Sequence, residues 1–453
     1  MDKQPGYHTW ATSDRLIPKT FVRPFIRFSQ VEASSGIVLL VAAIIALIWA
    51  NSAYSEAYFA ILDEHLTITI GDFQFDESVL HLINDGLMAI FFFVVGLEIK
   101  REMVIGDLRD PRTAALPVMA ALGGMMVPAL IYLAFNVGTT ASQGWGIPMA
   151  TDIAFAIGVV ALLGSRVPSG AKLFLLTLAI ADDIGAISVI AIFYTSDLEL
   201  GFLTAAIAGL AILWLANKVN IRALIFYIPM AFLIWYFTLE SGVHATLAGV
   251  ALGFLTPAKP YFTPRQFDAR ARAILDQFPT DSDSPIAHHH SEHEVVSMIQ
   301  TAQESISPLS RLEHNLIKWS SYAIVPLFAL ANAGVDFRDT SIATAARSAV
   351  ALGVAVGLVV GKIAGITLFT AAAVRLGAGR LPAGTTWTHI IGVAAVAGIG
   401  FTVSLFVTGL AFTDPLQAGH AKLGIFIGSI IAGVLGSLIL LGSKRPEMVV
   451  IVE

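Results

Sequence analysis

The sequence contains no cysteine and little charge, and each deficit excludes a class of protein. Without cysteine the chain forms neither disulfides nor thiolate metal sites. Charged residues make up 13% of its 453 residues, whereas soluble domains use about 25%. A chain this poor in charge cannot cover a soluble surface of its size. Because 56% of the residues are hydrophobic and the mean hydropathy is +0.76, we expect much of the surface to face lipid.

Long runs of apolar residues are the main feature of the sequence. A helix needs about 20 such residues to cross the core of a bilayer. The sequence therefore predicts an all-α polytopic membrane protein with about twelve transmembrane helices, embedded in the lipid bilayer, with no nucleic-acid partner. The predicted spans are 35–51, 79–99, 113–136, 144–164, 173–195, 200–216, 222–239, 242–256, 314–335, 348–373, 387–412 and 419–442.

Basic residues show which side of the membrane each connection faces. Lysine and arginine accumulate on the cytoplasmic side, and with the N-terminus inside nearly all of the 27 basic residues fall there. Only Arg338, Arg347 and Lys422 fall outside, and Lys362 lies within a span. Both termini are thus predicted to be cytoplasmic. The predicted organisation is a segment 1–34, helices I–VIII over 35–256, a long cytoplasmic loop 257–312, helices IX–XII over 313–443 and a tail 444–453.

Two segments outside the spans carry signals of their own. Residues 66–75 alternate apolar and polar side chains around Gly71-Asp72, which predicts a β-hairpin on the outer side. An isolated hairpin is marginally stable in water, so it would pair with a second subunit or lie on its own helix ends. The inner loop, with its tract His288-His289-His290, is predicted to be a solvated linker with a short helix near 291–306. A metal-binding or regulatory role is the alternative for that tract.

Four charged residues lie far from the ends of their predicted spans: Asp152, Asp182, Asp183 and Lys362. A charge at this depth costs roughly 2.5–3.5 kcal/mol on insertion scales and is a functional hypothesis by default. Two adjacent carboxylates in a low-dielectric setting resist being ionised together. They would hold protons until a small cation, which prefers oxygen ligands, takes their place. The alternative is a neutral, hydrogen-bonded pair that joins helices.

Lys362 needs a negative partner, and Asp182 is a candidate for that role. Such a bridge would break when protons load, or it would be a permanent structural ion pair; the two roles are compatible.

Two spans are interrupted at mid-depth, by Pro148 ahead of Thr151 and by Gly398 and Gly400. Interrupted spans in corresponding places of two halves indicate a binding site at the midplane. The facing helix ends would carry partial charges, which Asp152 and Lys362 could offset. Close helix packing is the alternative explanation for the glycines.

A set of ordered motifs resembles the NhaA family of bacterial Na+/H+ antiporters. The resemblance covers about residues 35–445, apart from the long inner loop. It implies an NhaA-type fold, with inverted repeats and two interrupted helices crossing at the midplane. The motifs are INDGLMAI (83–90), VGLEIKRE (95–102), ATDIAFAIG (150–158), AIADDIGAI (179–187), SGVHATLAG (241–249), PLFALANAGV (326–335), GK (361–362) and GIGFTVS (398–404).

The resemblance also implies roles for individual residues. Asp182 and Asp183 resemble the ion- and proton-binding pair, with Asp183 the more direct ligand of Na+. Thr151 and Asp152 resemble the unwound site of helix IV, and Lys362 the partner of Asp182. Positions implicated in the pH response or on the cation route are matched by Glu98, Glu102, His244, Glu313 and Asp85.

For several of these residues an ordinary structural role stays open. Glu98 and Glu102 flank two basic residues at an inner helix end, as in a surface charge cluster, and His244 could be a satisfied histidine at a helix start. The family dimerises through an outer hairpin, which favours a homodimer through 66–75. No cofactor is implied beyond the transported Na+ or Li+ and H+.

The function expected from the sequence is electrogenic, pH-regulated exchange of internal Na+ or Li+ for external protons, with two protons for each cation. The nearest rival is a sodium-coupled symporter of an organic solute, which would need a wide polar cavity. A second rival is an intramembrane aspartyl protease. That enzyme needs two aspartates facing each other across two helices, which adjacent residues of one helix cannot provide, although Asp152 with Asp183 would be a remote candidate pair.

Overall fold

The computed structural model describes residues 34–71, 73–195, 198–221, 224–278, 285–338 and 342–443. The predicted cytoplasmic segment 1–34, apart from Ser34, and the predicted tail 444–453 lie outside these ranges. The described part is mostly helical.

In the first half of the chain, the described residues form six α-helical elements, one long 3-10 segment and one strand pair. They are α1 Ser34–Ala50, α2 Ser55–Asp63, β1 His65–Ile70, β2 Phe73–Ser78, α3 Val79–Val104, α4 Pro111–Asn136, the 3-10 segment Thr140–Met149, α5 Ile153–Leu162 and α6 Ser169–Phe193.

The described residues of the second half form twelve further helices. They are α7 Leu200–Lys218, α8 Leu224–Glu240, α9 Thr246–Leu255, α10 Pro264–Asp276, α11 Pro285–Glu304, α12 Pro308–Trp319, α13 Val325–Asn332, α14 Ile342–Ala346, α15 Ala349–Arg375, α16 Trp387–Val396, α17 Phe401–Ala411 and α18 Pro415–Gly442.

The long helices are apolar enough to cross a membrane. In the described residues, six helices meet that requirement, or up to nine spans if each of three bent pairs counts as one. Their large apolar side chains are often exposed, as at Leu200 (68%) and Ile430 (65%). In water such surfaces would be unfavourable, so they face lipid. The chain is therefore a multi-pass membrane protein, and the count of twelve spans stays a prediction.

Three stretches of the described residues wind as π-helix, which has more residues per turn than an α-helix. They are Leu82–Leu87 within α3, Ser320–Ile324 between α12 and α13, and Gly357–Gly361 within α15. Such π turns are rare and occur often at functional sites. The first contains Asp85, and the last ends next to Lys362.

The chain divides into two compact units. Unit 1 comprises the chain up to Asn84, Asp110–Tyr194 and everything from Ser321 on, and unit 2 comprises Asp85–Arg109 and Thr195–Ser320.

Unit 1 contains the two interrupted spans that the sequence predicts. The 3-10 segment and α5 are bent by 42° at their junction, and α16 and α17 are bent by 48°. Pro148 has no N–H to continue the first helix, and Asp152 is extended at φ −85° and ψ 101°. The two breaks meet, because the N–H of Asp152 donates to the carbonyl of Ile399 over 2.6 Å.

The long inner loop lies in unit 2, and its described residues are largely helical. It forms two helices, α10 and α11, where the sequence predicted one short helix near 291–306. Thr263 and Gln266 form a capping box that starts α10, and this local signal was missed. The N–H groups of Tyr261 and Phe262 donate to the carbonyl of Glu304 at the base of the pair. The side chains of His288 to His290 lie outside the described residues.

The hairpin expected over 66–75 is present as strands β1 and β2. They pair antiparallel from His65 with Ser78 to Ile70 with Phe73. Gly71 has φ +62°, which suits the tight turn between them. On the polar face Asp76 accepts hydrogen bonds from Thr67 over 2.8 Å and from His65. These bonds lower the pKa of Asp76, the one from Thr67 most.

Glycines let α4 and α15 approach closely in unit 1. A Cβ on Gly365 would collide with the backbone of Gly123, and a Cβ on Gly123 would collide with Gly365 and with Phe369. Small residues allow membrane helices to gain van der Waals contact in this way. This close approach fixes the helix that carries Lys362.

We expect Gly365→Ala to lower the melting temperature of the detergent-solubilised protein by several degrees, because the backbone of α4 cannot move aside cheaply. Gly409→Ala is the matched control, since a Cβ there meets nothing within 4 Å. Thermal unfolding followed by tryptophan fluorescence measures both. Equal melting temperatures for the two variants would contradict this account of the packing.

Candidate functional site

Asp182 and Lys362 form an ion pair in the interior of unit 1. Asp182 lies at the middle of α6 and Lys362 at the middle of α15. Their side chains are 1% and 0% exposed, and Lys362 Nζ lies 2.6 Å from Asp182 Oδ2. Charges removed from water in this way are stable only when they are paired and hydrogen-bonded. The contact is the one that the sequence suggested for these two residues.

Oxygen atoms from the first interrupted span complete the surroundings of the ammonium group. Lys362 Nζ also donates to the carbonyl of Met149 and to Thr151 Oγ1 over 3.0 Å. Thr151 Oγ1 lies 2.7 Å from Asp182 Oδ2 and 2.9 Å from the carbonyl of Ala397. A hydroxyl has one proton, so it donates to one of these acceptors at a time. The three protons of the lysine thus have three acceptors.

One carboxylate oxygen of the pair has no such partner. Asp182 Oδ1 is buried and accepts no hydrogen bond from the described residues. Asp183 follows on the next position of α6, about 100° around the helix, and is 5% exposed. A buried carboxylate oxygen without a donor is a place for a proton or for a dehydrated cation. The arrangement can therefore hold either of them beside a fixed ammonium group.

Asp152 joins the two interrupted spans from the other side. Its Oδ1 accepts the N–H of Phe155 over 3.1 Å and caps the start of α5. Its Oδ2 accepts the N–H of Thr402 over 3.0 Å and the hydroxyl of Thr402 over 2.5 Å, at the start of α17. Helix N-termini carry partial positive charge. The single carboxylate of Asp152 therefore offsets the partial positive charge of two helix N-termini.

Lys362 lies at helix C-terminal ends, whereas Asp152 lies at helix N-terminal ends. Met149 ends the 3-10 segment, and Ala397, which contacts Thr151, lies at the end of α16. Helix C-termini present free carbonyls with partial negative charge. The expectation that Asp152 and Lys362 offset facing helix ends agrees with these contacts.

Three of the pH-response candidates meet around one arginine in unit 2. Arg101 donates to Glu102 over 3.1 Å and forms an ion pair with Glu313 of α12. Glu98 lies one turn earlier on α3. Neighbouring Lys100 donates to the carbonyls of Phe254 and Thr256 at the end of α9. Glu102 and Glu313 thus contact the guanidinium group of Arg101, and Glu98 interacts with it electrostatically.

The other two candidates lie elsewhere. His244 precedes α9, whereas Lys100 contacts the far end of that helix. The ten residues of α9 put about 15 Å between those ends. Asp85 lies thirteen residues before Glu98 on α3, about 20 Å along its axis. Its carbonyl accepts the indole N–H of Trp235. The five candidates do not form one cluster.

Two contributors to the site were missed by the sequence analysis. Thr402 binds Asp152 twice, and its only signal was its place in the motif 398–404. The carbonyl of Met149 binds Lys362. A backbone acceptor carries no residue type that a sequence could reveal.

The site can be compared with known proteins. The chain matches the family described as "Na+/H+ antiporter 1" over residues 26–440. It is 44% identical over 430 residues to the protein "Na(+)/H(+) antiporter NhaA" of Oleidesulfovibrio alaskensis, covering 94% of this chain and 95% of that one. It is 45% identical over 423 residues to the protein of the same name from Rhodopirellula baltica, covering 93% and 94%.

The structure is also similar to that of the sodium proton antiporter MjNhaP1 from Methanocaldococcus jannaschii. The two share 11% sequence identity at a TM-score of 0.42, with 93% of this chain and 98% of that chain covered. A TM-score this low supports no conclusion about the site.

We expect Lys362→Met to lower the free energy of unfolding by about 3–5 kcal/mol, because it leaves a buried carboxylate uncompensated. The double variant Lys362→Met/Asp182→Leu should recover much of that loss, since both charges are then gone. Lys218→Met, at a lysine that lies over the ring of Trp214, is the control. Chemical unfolding in mild detergent measures all of them. A double variant no more stable than Lys362→Met would argue against a charged pair.

Proposed function

Because the chain belongs to the Na+/H+ antiporter 1 family, we propose that it exchanges internal Na+ or Li+ for external protons across the bacterial cytoplasmic membrane. The protein is a secondary transporter, driven by the proton gradient. The concentration of basic residues on one side of the predicted spans supports a cytoplasmic position for both termini. The observation that carries the proposal is the buried ion pair beside Asp183, in which Asp182 Oδ1 accepts no hydrogen bond from the part of the chain that the structure describes.

The exchange follows from competition for the same oxygen atoms. When the site faces the outside, protons bind the two carboxylates and the bridge between Asp182 and Lys362 weakens. When it faces the inside, where protons are scarcer, the carboxylates lose their protons and take up a dehydrated cation. Asp183, Asp182 and Thr151 are the proposed ligands of Na+, with Asp183 the most direct. In both states Lys362 supplies the positive charge that balances the carboxylate of Asp182.

Two titrating carboxylates for one cation support a ratio of two protons to each Na+. Such a cycle moves net charge and is therefore electrogenic. A membrane potential that is negative inside would drive it in the direction of sodium extrusion. Sodium and pH homeostasis of the cell is the corresponding physiological role.

The pH response is proposed to involve the carboxylates around Arg101. Glu98, Glu102 and Glu313 compete for one guanidinium group, and protonation of any of them would change how Arg101 is shared. His244 and Asp85, which lie at other places on α9 and α3, would act separately.

We expect Asp183→Asn to abolish Na+-driven proton movement in proteoliposomes, because an amide cannot exchange a proton for a cation. Asp336→Asn is the matched control, at an exposed aspartate paired with Arg338 over 2.7 Å. A pH-sensitive dye inside the vesicles reports proton efflux after addition of Na+, Li+ or K+. Full activity of Asp183→Asn would defeat the proposed function.

A homodimer through the hairpin is the proposed assembly. Leu66 and Ile68, which alternate on one face of β1, are each 45% exposed. An apolar hairpin face of this kind is unfavourable in water. Burial against the same hairpin of a second subunit would remove it from water.

We expect the double substitution Leu66→Lys/Ile68→Lys to convert the dimer to a monomer, because it places charges on the face to be buried. Thr69→Lys, on the opposite face of β1, should leave the dimer intact. Light scattering after size exclusion in mild detergent gives the mass. An unchanged dimer in the double variant would rule out this interface.

A further inference from the structure

The outer half of the first interrupted span has an unusual backbone. All ten residues Thr140–Met149 wind as a 3-10 helix, although 3-10 runs longer than three or four residues are uncommon. The segment contains Gly144, Gly146 and Pro148, which are all poor α-helix formers. Low α propensity alone would leave the segment irregular, so something must hold it in this form.

The hydroxyl of Tyr194 is inserted into the hydrogen-bond ladder of the segment. It accepts the N–H of Gly146 over 3.3 Å and donates to the carbonyl of Gln143 over 2.8 Å. That N–H and that carbonyl are three residues apart, so they would bond each other in a regular 3-10 helix. The phenol thus bonds both groups of this rung from outside the segment.

Three other side chains each donate a hydrogen bond to a backbone carbonyl of the same segment. Tyr132 of α4 donates to the carbonyl of Ala141 over 2.8 Å. Ser404 of α17 donates to the carbonyl of Ile147 over 2.7 Å, and Lys362 of α15 donates to that of Met149. These carbonyls thus have side-chain donors from outside the segment. The 3-10 form is therefore fixed by the surrounding helices of unit 1.

The winding determines where Met149 lies. A 3-10 helix rises about 2.0 Å per residue and an α-helix about 1.5 Å. Ten residues rewound as α-helix would shorten the segment by about 5 Å. With its outer end fixed, the carbonyl of Met149 would then leave hydrogen-bond distance of Lys362. The position of an ion-site acceptor thus depends on a tyrosine that contacts the middle of the segment.

We propose that Tyr194 is a positioning residue for cation exchange. It acts through the 3-10 segment, which it holds at the length that keeps the carbonyl of Met149 on Lys362. The proposal rests on the proposed antiport function and deepens it. The carbonyl of Met149 shares the ammonium group with Asp182, so its loss strengthens the hold of Lys362 on Asp182. A cation competing for Asp182 then binds more weakly.

Tyr194→Phe tests the hydroxyl while keeping the ring. We expect the apparent KM for Na+ to rise about threefold to tenfold, the equivalent of one or two hydrogen bonds, and the maximal rate to change less than about twofold. The pH at which exchange reaches half its maximum should also shift. Tyr227→Phe is the matched control, because it removes a hydroxyl that donates to the carbonyl of Ile221 over 2.8 Å elsewhere in the chain.

Gly146→Ala provides a second test that does not depend on the phenol alone. Its Cβ would approach Tyr194 Oη to 2.8 Å and displace the hydroxyl. We expect it to raise the KM for Na+ in the wild-type background and to add little in the Tyr194→Phe background, because both changes remove the same contact. Additive effects of the two substitutions would overturn the proposal.

The possible outcomes separate the two levels of inference. Wild-type protein that shows no exchange contradicts the proposed function itself. Wild-type exchange, with Tyr194→Phe and Tyr227→Phe equal in KM and pH profile, contradicts only the role of Tyr194. A fall in maximal rate and melting temperature without a change in KM or pH profile means a merely structural role and also overturns it.

Discussion

A lysine and an aspartate share a water-free position halfway along two long helices, and the rest of unit 1 is arranged around that pair. Removing both charges from water is costly, and their attraction compensates only when every remaining donor has an acceptor. The structure meets this condition for Lys362, which has Asp182 Oδ2, Thr151 Oγ1 and the carbonyl of Met149. Asp182 Oδ1, in contrast, accepts no hydrogen bond from the described residues, and it is where we propose that the exchangeable ion binds.

The interrupted helices extend the same principle to the backbone. Breaking a helix within a membrane frees polar groups that lipid cannot satisfy. Asp152 receives the freed N–H groups of two helices, and Lys362 and Thr151 contact the freed carbonyls of two others. The helix ends are thus compensated before any cation arrives. In the exchange that we propose, protons and cations compete at Asp182 and Asp183 without exposing uncompensated backbone groups.

The sequence could predict those features whose placement in a membrane is energetically unfavourable. Asp182, Lys362 and Asp152 stand out because charge is expensive in apolar surroundings, and Pro148 and Gly398 stand out because they interrupt helices. Tyr194 and Thr402 gave no comparable signal, because a hydroxyl is cheap to place and its backbone partners are distant in sequence. The helices α10 and α11 were underestimated because their polar composition resembles that of a linker. The ion pair of Arg101 with Glu313 could not be predicted, because the two residues are 212 positions apart in the sequence.

The central claim is that a cation and protons exclude each other at one pair of carboxylates. The most direct measurement is the number of protons released when Na+ is added to purified protein in weakly buffered detergent solution, near the pH of half-maximal activity. The account predicts release of between one and two protons for each Na+ bound, and none in the variant Asp182→Asn/Asp183→Asn. Sodium binding to the wild-type protein without proton release would contradict it.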